Sequence, residues 1–263
     1  MRKFTLAVIL IGMSAPVFSQ TSAQDAALLA KTKALYDAPF RQGLINFDCA
    51  VGFDFEEHVK DNFAATPPGA GPLIKALQSI RYRVFVDRSG AVVSAQPKLP
   101  DLSAVAHAAD LEEANRNLMQ AALNTWEPYA SGDVLPLGPT QYHFTKKPGS
   151  ESYQLTMSGP DLAAVLTLDA NLHLLSGVVE KPMHIELTTE FAPGDKGLVL
   201  AATSINTNHM GIARFRYTYQ LVDGFQIPAS VWANSEQNMT WRYTLTDCRT
   251  AHGQVIQLRP PTP

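Results

Sequence analysis

From residue 141 onward, apolar and polar positions alternate with a period of two in segments of four to ten residues. Short turns rich in Gly, Asn, Asp or Pro separate them. Such a pattern predicts half-buried antiparallel strands. The segments are Tyr142–Thr145, Ser152–Met157, Ala163–Leu168, Leu172–Glu180, Met183–Phe191, Leu198–Ile205, Ile212–Leu221, Phe225–Ala233, Met239–Cys248 and Gln254–Leu258. An earlier strand follows from the run INFDCAVGFDF, where Ile45, Phe47, Cys49, Val51, Phe53 and Phe55 alternate with small or polar residues. Arg81–Val86 and Ala91–Ala95 read as a hairpin turning at Asp87–Gly90. Helical spacing occurs twice. Gln24–Tyr36 carries Leu28, Leu35 and Tyr36. Asp110–Trp126 carries Leu111, Ala114, Leu118, Ala122 and Trp126, with Asp110 as cap and Pro128 as stop.

Register can be argued for the late strands. A three-residue loop, Val222-Asp223-Gly224, pairs Leu221 with Phe225, Tyr219 with Ile227, Tyr217 with Ala229 and Phe215 with Val231. Gly224 then takes the left-handed position without steric cost. A five-residue loop, Asn234–Asn238, pairs Val231 with Trp241, Ala229 with Tyr243 and Ile227 with Leu245. Phe215, Tyr217, Tyr219, Phe225, Ile227, Val231, Trp241 and Tyr243 thus form one apolar wall, since a slip by one residue would turn every side chain over. Trp232 falls opposite Arg214. Pro228, lacking an N–H, belongs at an edge, a bulge or a non-bonded position. The wall is either an ordinary packed core or one face of an apolar cavity. A cavity binds hydrocarbon at about 0.8 kcal/mol per methylene, with no chemical motif required.

The expected fold is α+β: a large curved antiparallel sheet, an unclosed half-barrel, packed against two or three helices. Residues 24–132 (helix, strand, hairpin, helix) and the meander at 133–259 form one continuous domain in this reading. Ser131–Thr140 is the best boundary between them.

Composition then narrows the function. Arg2 and Lys3 precede an apolar run, Leu6–Met13, and small residues, so residues 1–19 read as a secretory signal cleaved after Ser19 or Ala23. That run is too short to cross a bilayer, and no later stretch is long and uncharged enough. The chain is therefore expected to be exported, periplasmic or secreted, without a transmembrane segment in its mature form. A formal charge of −3, from 21 Lys+Arg and 24 Asp+Glu, offers no footprint for nucleic acid. The two cysteines, Cys49 and Cys248, are candidates for a disulfide in an oxidising compartment. Cys248 lies at the opposite parity to Trp241, Tyr243 and Leu245, so the bond needs a bulge. No metalloprotease, nucleophile-elbow, P-loop or CxxC motif is present. No catalytic residue, metal site or cofactor is expected. The densest polar cluster, Asp54–Asp61, reads as a strand end or helix start in water. His184, Glu186 and Glu190 read as a solvated strand face.

The order helix, strand, helix and long meander, with YTYQLVDGFQIPASVWA followed by WRYTLTDC, resembles the outer-membrane lipoprotein carrier (LolA-like) fold. That resemblance implies an unclosed barrel wrapped around helices and an apolar ligand. It matches no individual lipid-contacting residue. Residues 80–136, RYRVFVDRSGAVVSAQ and then AALNTWEPYASG, are similar to the TonB-type C-terminal module, though Trp126 and Pro128 stand one residue closer than in that pattern. This implies protein contact through a strand edge. The leading expectation is a non-enzymatic envelope protein that binds a lipid or lipoprotein acyl chain. A protein-interaction module of the envelope and a periplasmic hydrolase using His58 or His184 are the alternatives.

Overall fold

The computed structural model describes residues 22–63, 70–96, 98–103, 105–133, 135, 141–160, 162–181, 183–207, 211–234 and 239–253. The expected signal segment and the strand at 254–258 lie outside them. One sheet of twelve strands organises the chain. Its order is β3-β2-β1-β12-β11-β10-β9-β8-β7-β6-β5-β4, with every neighbouring pair antiparallel. The meander runs from β4 (Gln141–Lys146) through β5 (Tyr153–Ser158), β6 (Ala163–Leu168), β7 (Leu174–Lys181), β8 (Ile185–Pro193), β9 (Leu198–Thr207), β10 (Gly211–Val222) and β11 (Phe225–Asn234) to β12 (Thr240–His252). The three N-terminal strands, β1 (Leu44–Phe53), β2 (Arg81–Asp87) and β3 (Gly90–Gln96), extend it beyond β12. Among the described residues the sheet stays open, with β3 and β4 as its edges.

Those two edges are consecutive in sequence, and α4 (Ala108–Ser131) runs between them. A helix of 24 residues is about 36 Å long. Twelve strands laid flat would span about 53 Å. The helix crosses the inner face, touching β3, β2, β11 and β9. Within residues 80–136, β2 and β3 are thus the edge hairpin and α4 the spanning helix of the same sheet. Three further helices lie among the described residues: α1 (Ala23–Lys33), α2 (Phe55–Asn62) and α3 (Ala70–Gln78).

Both exposed edges are blunted by helix side chains. Asp25 of α1 accepts from the Phe144 N–H of β4 at 2.9 Å. Asn124 of α4 accepts from the Ala91 N–H of β3 at 2.6 Å. An open sheet needs such devices, because bare edge N–H groups recruit other strands.

The hairpin β10–β11 corrects the expected register. Its turn has two residues, with Val222 opposite Phe225 and positive φ at Asp223 (49°) and Gly224 (82°). This is the mirror-image turn that suits strand twist. One extra residue between Pro228 and Ser230 then restores the parity, so Tyr217 meets Val231 and Phe215 meets Ala233. Pro228 stands at that bulge. Leu221, expected inward, is 60 % exposed. Across β11–β12 the register differs from expectation by two: Val231 meets Tyr243 and Ala233 meets Trp241. Because the shift is even, no side chain changes face. Phe215, Ala233 and Trp241 therefore lie side by side on one face. Trp232 stacks on Arg216, not Arg214, with the guanidinium 5.3 Å from the ring centre.

Three other expectations are corrected. Ile45 is 53 % exposed while Leu44 is buried, because the β1–β12 register shifts between Leu44 and Asn46. Helix α4 starts at Ala108 behind His107 and continues through Pro128 to Ser131. Its inward face is turned from the expected stripe: Ala122 and Trp126 are buried, but so are Glu112, Asn115 and Met119, whereas Ala114 is exposed. Helix α1 ends at Lys33, because Leu35 and Asp37 bond in extended form to Leu198 of β9.

A second β1–β12 irregularity sets two residues of β12, Asp247 and Cys248, against Cys49. Asp247 takes a positive φ of 48° there, and this bulge brings Cys248 to the side of the strand that Cys49 faces. The two cysteines are joined by a disulfide of 2.07 Å.

Candidate apolar ligand site

The eight wall residues come together in one core. Phe215, Tyr217, Phe225, Ile227, Val231 and Tyr243 are buried, and Tyr219 and Trp241 pack against them partly buried. Helix α4 covers this wall. Its Met119, Ala122, Leu123 and Trp126 belong to the same cluster. The tyrosines complete the fit with their polar ends. Tyr217 donates to the Ala122 carbonyl at 2.8 Å. The Tyr219 hydroxyl accepts from Trp126 Nε1 at 3.1 Å and donates to the Leu200 carbonyl at 2.7 Å. Tyr243 donates to Asn115 Oδ1 at 3.1 Å. Burial pushes all three phenols above their ordinary value. A cleft lined by Tyr36, Trp126, Tyr129, Phe191 and Tyr219 retains about 20 Å³ of free space, about enough for one water.

A more apolar space lies beyond the wall's far end; a wider, shallower hollow of about 580 Å³ on the outer side of α2 and α3 is lined by Glu56, Lys60, Lys75 and Gln78 as well as Val59 and Ile74. Tyr243 stacks on Phe53 at 5.2 Å, and Trp241 on His58 at 4.9 Å. Past them, α2, α3 and the start of α4 line a cavity of about 480 Å³ that is partly open to solvent. Its described lining includes Phe55, Val59, Leu73, Ile74, Leu77 and Leu111. The exposed Phe63 and His107 stand at its rim.

The local sequence accounts for these two short helices. Asp54 caps α2, accepting from the N–H groups of Glu56 and Glu57 at 2.9 and 3.0 Å. Phe55 and Val59 are one turn apart, as are Leu73 and Leu77 in α3. Gln78 of α3 accepts from the Phe55 N–H at 3.0 Å and so ties the two helices. Helix α2 is fastened to β12 by polar groups. Asn62 treats Thr240 as a strand partner would, accepting from its N–H at 2.6 Å and donating to its carbonyl at 2.9 Å. Arg242 reaches Glu57 at 2.9 Å and Asp61 at 3.3 Å. This is an exposed pairing of small energetic weight.

His58 is the one polar side chain buried in the described lining, at 5 % exposure. Its Nδ1 lies 2.8 Å from the Thr240 carbonyl. Burial lowers its pKa below the ordinary histidine value, against the opposing pull of the Thr240 bond and the Asp61 carboxylate.

Histidine–carboxylate pairs do occur elsewhere: His143–Asp25, His173–Asp169, and His184 with Glu180 and Glu186. None of them lines this cavity. Among the described residues no cluster of three or more His, Cys, Asp or Glu could hold a metal ion. No described helix is long and apolar enough to cross a membrane.

No family model and no curated protein matches the chain. Among solved structures, it is similar to a domain from Vibrio parahaemolyticus described as a putative outer membrane lipoprotein-sorting protein domain, at 12 % identity over 86 % of this chain and 92 % of that one, with a TM-score of 0.29. A likeness at that level does not establish a common fold.

Proposed function

We propose that the chain is an exported, non-enzymatic envelope protein that binds an apolar ligand, a lipid or acyl chain, in the cavity between α2, α3 and α4. The observation that carries this reading is the cavity itself: about 480 Å³, lined mostly by aliphatic and aromatic side chains, at the end of a sheet whose wall under α4 is filled. Small-molecule sites fall in the range of about 300–1,000 Å³. About ten buried methylenes supply about 8 kcal/mol before the costs of ordering the chain. The eight wall residues enter as the rigid platform on which the cavity is built.

The cavity offers hydrocarbon contact and one buried imidazole, which is a container's chemistry. The strand-edge alternative finds less support, since Asp25 and Asn124 already occupy edge N–H groups. Native mass spectrometry after mild extraction tests the reading, together with displacement of a polarity-sensitive apolar dye. Co-purifying lipid and a displaceable dye are expected. A protein that carries no lipid and binds no dye contradicts it.

A further inference from the structure

The one buried polar side chain in the cavity's described lining bears on which amphiphile it takes. Two acceptor atoms do not approach to 2.8 Å without a proton between them, so the contact of His58 Nδ1 with the Thr240 carbonyl places the hydrogen on Nδ1. The Asn62 amide nitrogen also lies 3.0 Å from Nδ1, but its two hydrogens go to the His58 and Thr240 carbonyls at 2.7 and 2.9 Å. In the neutral ring, Nε2 then presents a lone pair. It has no hydrogen-bond partner among the described residues, although the side chain is only 5 % exposed, and the residue lines both this cavity and the small polar cleft beside Glu57, Asp61 and Arg242. The atom is not sealed from the cavity, so a ligand that displaces water from it without supplying a donor leaves it unpaired, and one that supplies a donor gains selectivity.

We propose that His58 Nε2 receives a hydrogen bond from the ligand's head group, so that the cavity selects single-chain amphiphiles with a hydroxyl-type donor at the polar end. The ring is held for this role. Thr240 fixes its tautomer, Asn62 fixes Thr240, and Trp241 and Phe53 flank the ring at 4.9 and 5.5 Å. The donor keeps its proton, no bond is broken, and the aliphatic chain lies against Val59, Leu73, Ile74 and Leu77. This inference rests on the reading of the cavity as an acyl-chain site.

The test compares 1-dodecanol with dodecyl methyl ether, which has a similar chain but no donor, by displacement of an apolar dye. The wild-type protein is expected to bind the alcohol about tenfold more tightly. His58→Phe, which keeps the ring stack and removes both nitrogens, is expected to bind both with the wild-type ether affinity. Should His58→Phe fail to fold, ¹⁵N NMR of wild-type His58 gives the same answer: the Nε2 resonance shifts upfield with dodecanol and stays in place with the ether. Equal binding of both compounds by the wild type, a preference that survives in His58→Phe, or an unmoved Nε2 signal overturns the role of His58 while leaving the cavity reading intact. Failure of both compounds and of the dye to bind overturns the cavity reading, and this inference with it.

Discussion

The same inner face of the sheet is covered in two ways. Under α4, a helix of 24 residues presses Met119, Ala122, Leu123 and Trp126 onto the aromatic wall, and the wall tyrosines find partners for their hydroxyls. Under α2 and α3, helices of 8 and 9 residues anchor one apolar side chain each in the same core, Phe55 and Leu77, and are tied at their margins by Asn62–Thr240, Gln78–Phe55 and Arg242. Between those margins the space stays open. A long helix has enough side chains to fill what it covers. Two short ones with one anchoring side chain each leave a partly open cavity beside them. Stability is therefore expected to reside in the first region and ligand capacity in the second.

Truncating the first region should cost most. Trp126→Ala removes a side chain 2 % exposed, together with its bond to Tyr219. Urea denaturation should show a loss of about 3–5 kcal/mol. A loss below about 1 kcal/mol would mean that the wall is not a packed core. Replacing both Cys49 and Cys248 by Ser should cost about 2–4 kcal/mol, through a link that spans 199 residues of chain but only two adjacent strands. Leu73→Trp fills the second region instead. Dye titration should show binding weakened about tenfold or more, while unfolding stability changes by less than about 1 kcal/mol. If stability falls and binding persists, the division between the regions is wrong.

A smaller effect is expected at the β4 edge. Burial raises the pKa of Asp25, but His143, the Phe144 N–H and Ser22 together hold it below the ordinary carboxylate value. The stability it contributes is therefore present above that ordinary value, about 3.8, and is lost as the pH falls through the lower folded-state value. Asp25→Ala should flatten this acid limb of the stability profile. The smallest effect concerns His58. Its depressed pKa means that the folded state binds the proton less well than the unfolded chain, so its contribution is complete above about pH 6.5 and declines in acid. Asp61 and Glu57 on α2, Arg242 on β12 and His107 across the cavity share its surroundings. Hydrogen exchange in α2 should quicken at about pH 5, before exchange in α4 does.

Much of the sheet was legible because one face of most strands is the more buried and the side-chain period is two. The strands from β4 to β12 follow the alternation closely. Register was harder. The parity of Phe215, Tyr217 and Ile227 required one compensating residue, which the alternation places in a three-residue turn and the structure places within β11. The Asp-Gly pair favours the two-residue turn, and Pro228, which cannot donate, marks where the extra residue went. The face of α4 was misjudged because Glu112 and Asn115 are polar yet buried, matched by Arg116 and Tyr243. The cavity was the least legible part. Its helices are too short for a full apolar stripe, and Asp54–Asp61 looks solvated because most of its side chains are. Asp54 with Glu57 three residues on is the helix-start signature that could have marked α2. Nothing comparable marks the space beneath it, since a void is defined by side chains that do not meet.

The division between filled wall and open cavity is tested most directly by isotope-filtered NOEs between ¹³C-labelled dodecanol and protein methyl groups. Contacts with Val59, Leu73, Ile74 and Leu77, and none with Ile227 or Val231, are expected. Contacts with Ile227 and Val231 instead would place the ligand under α4 and contradict the account.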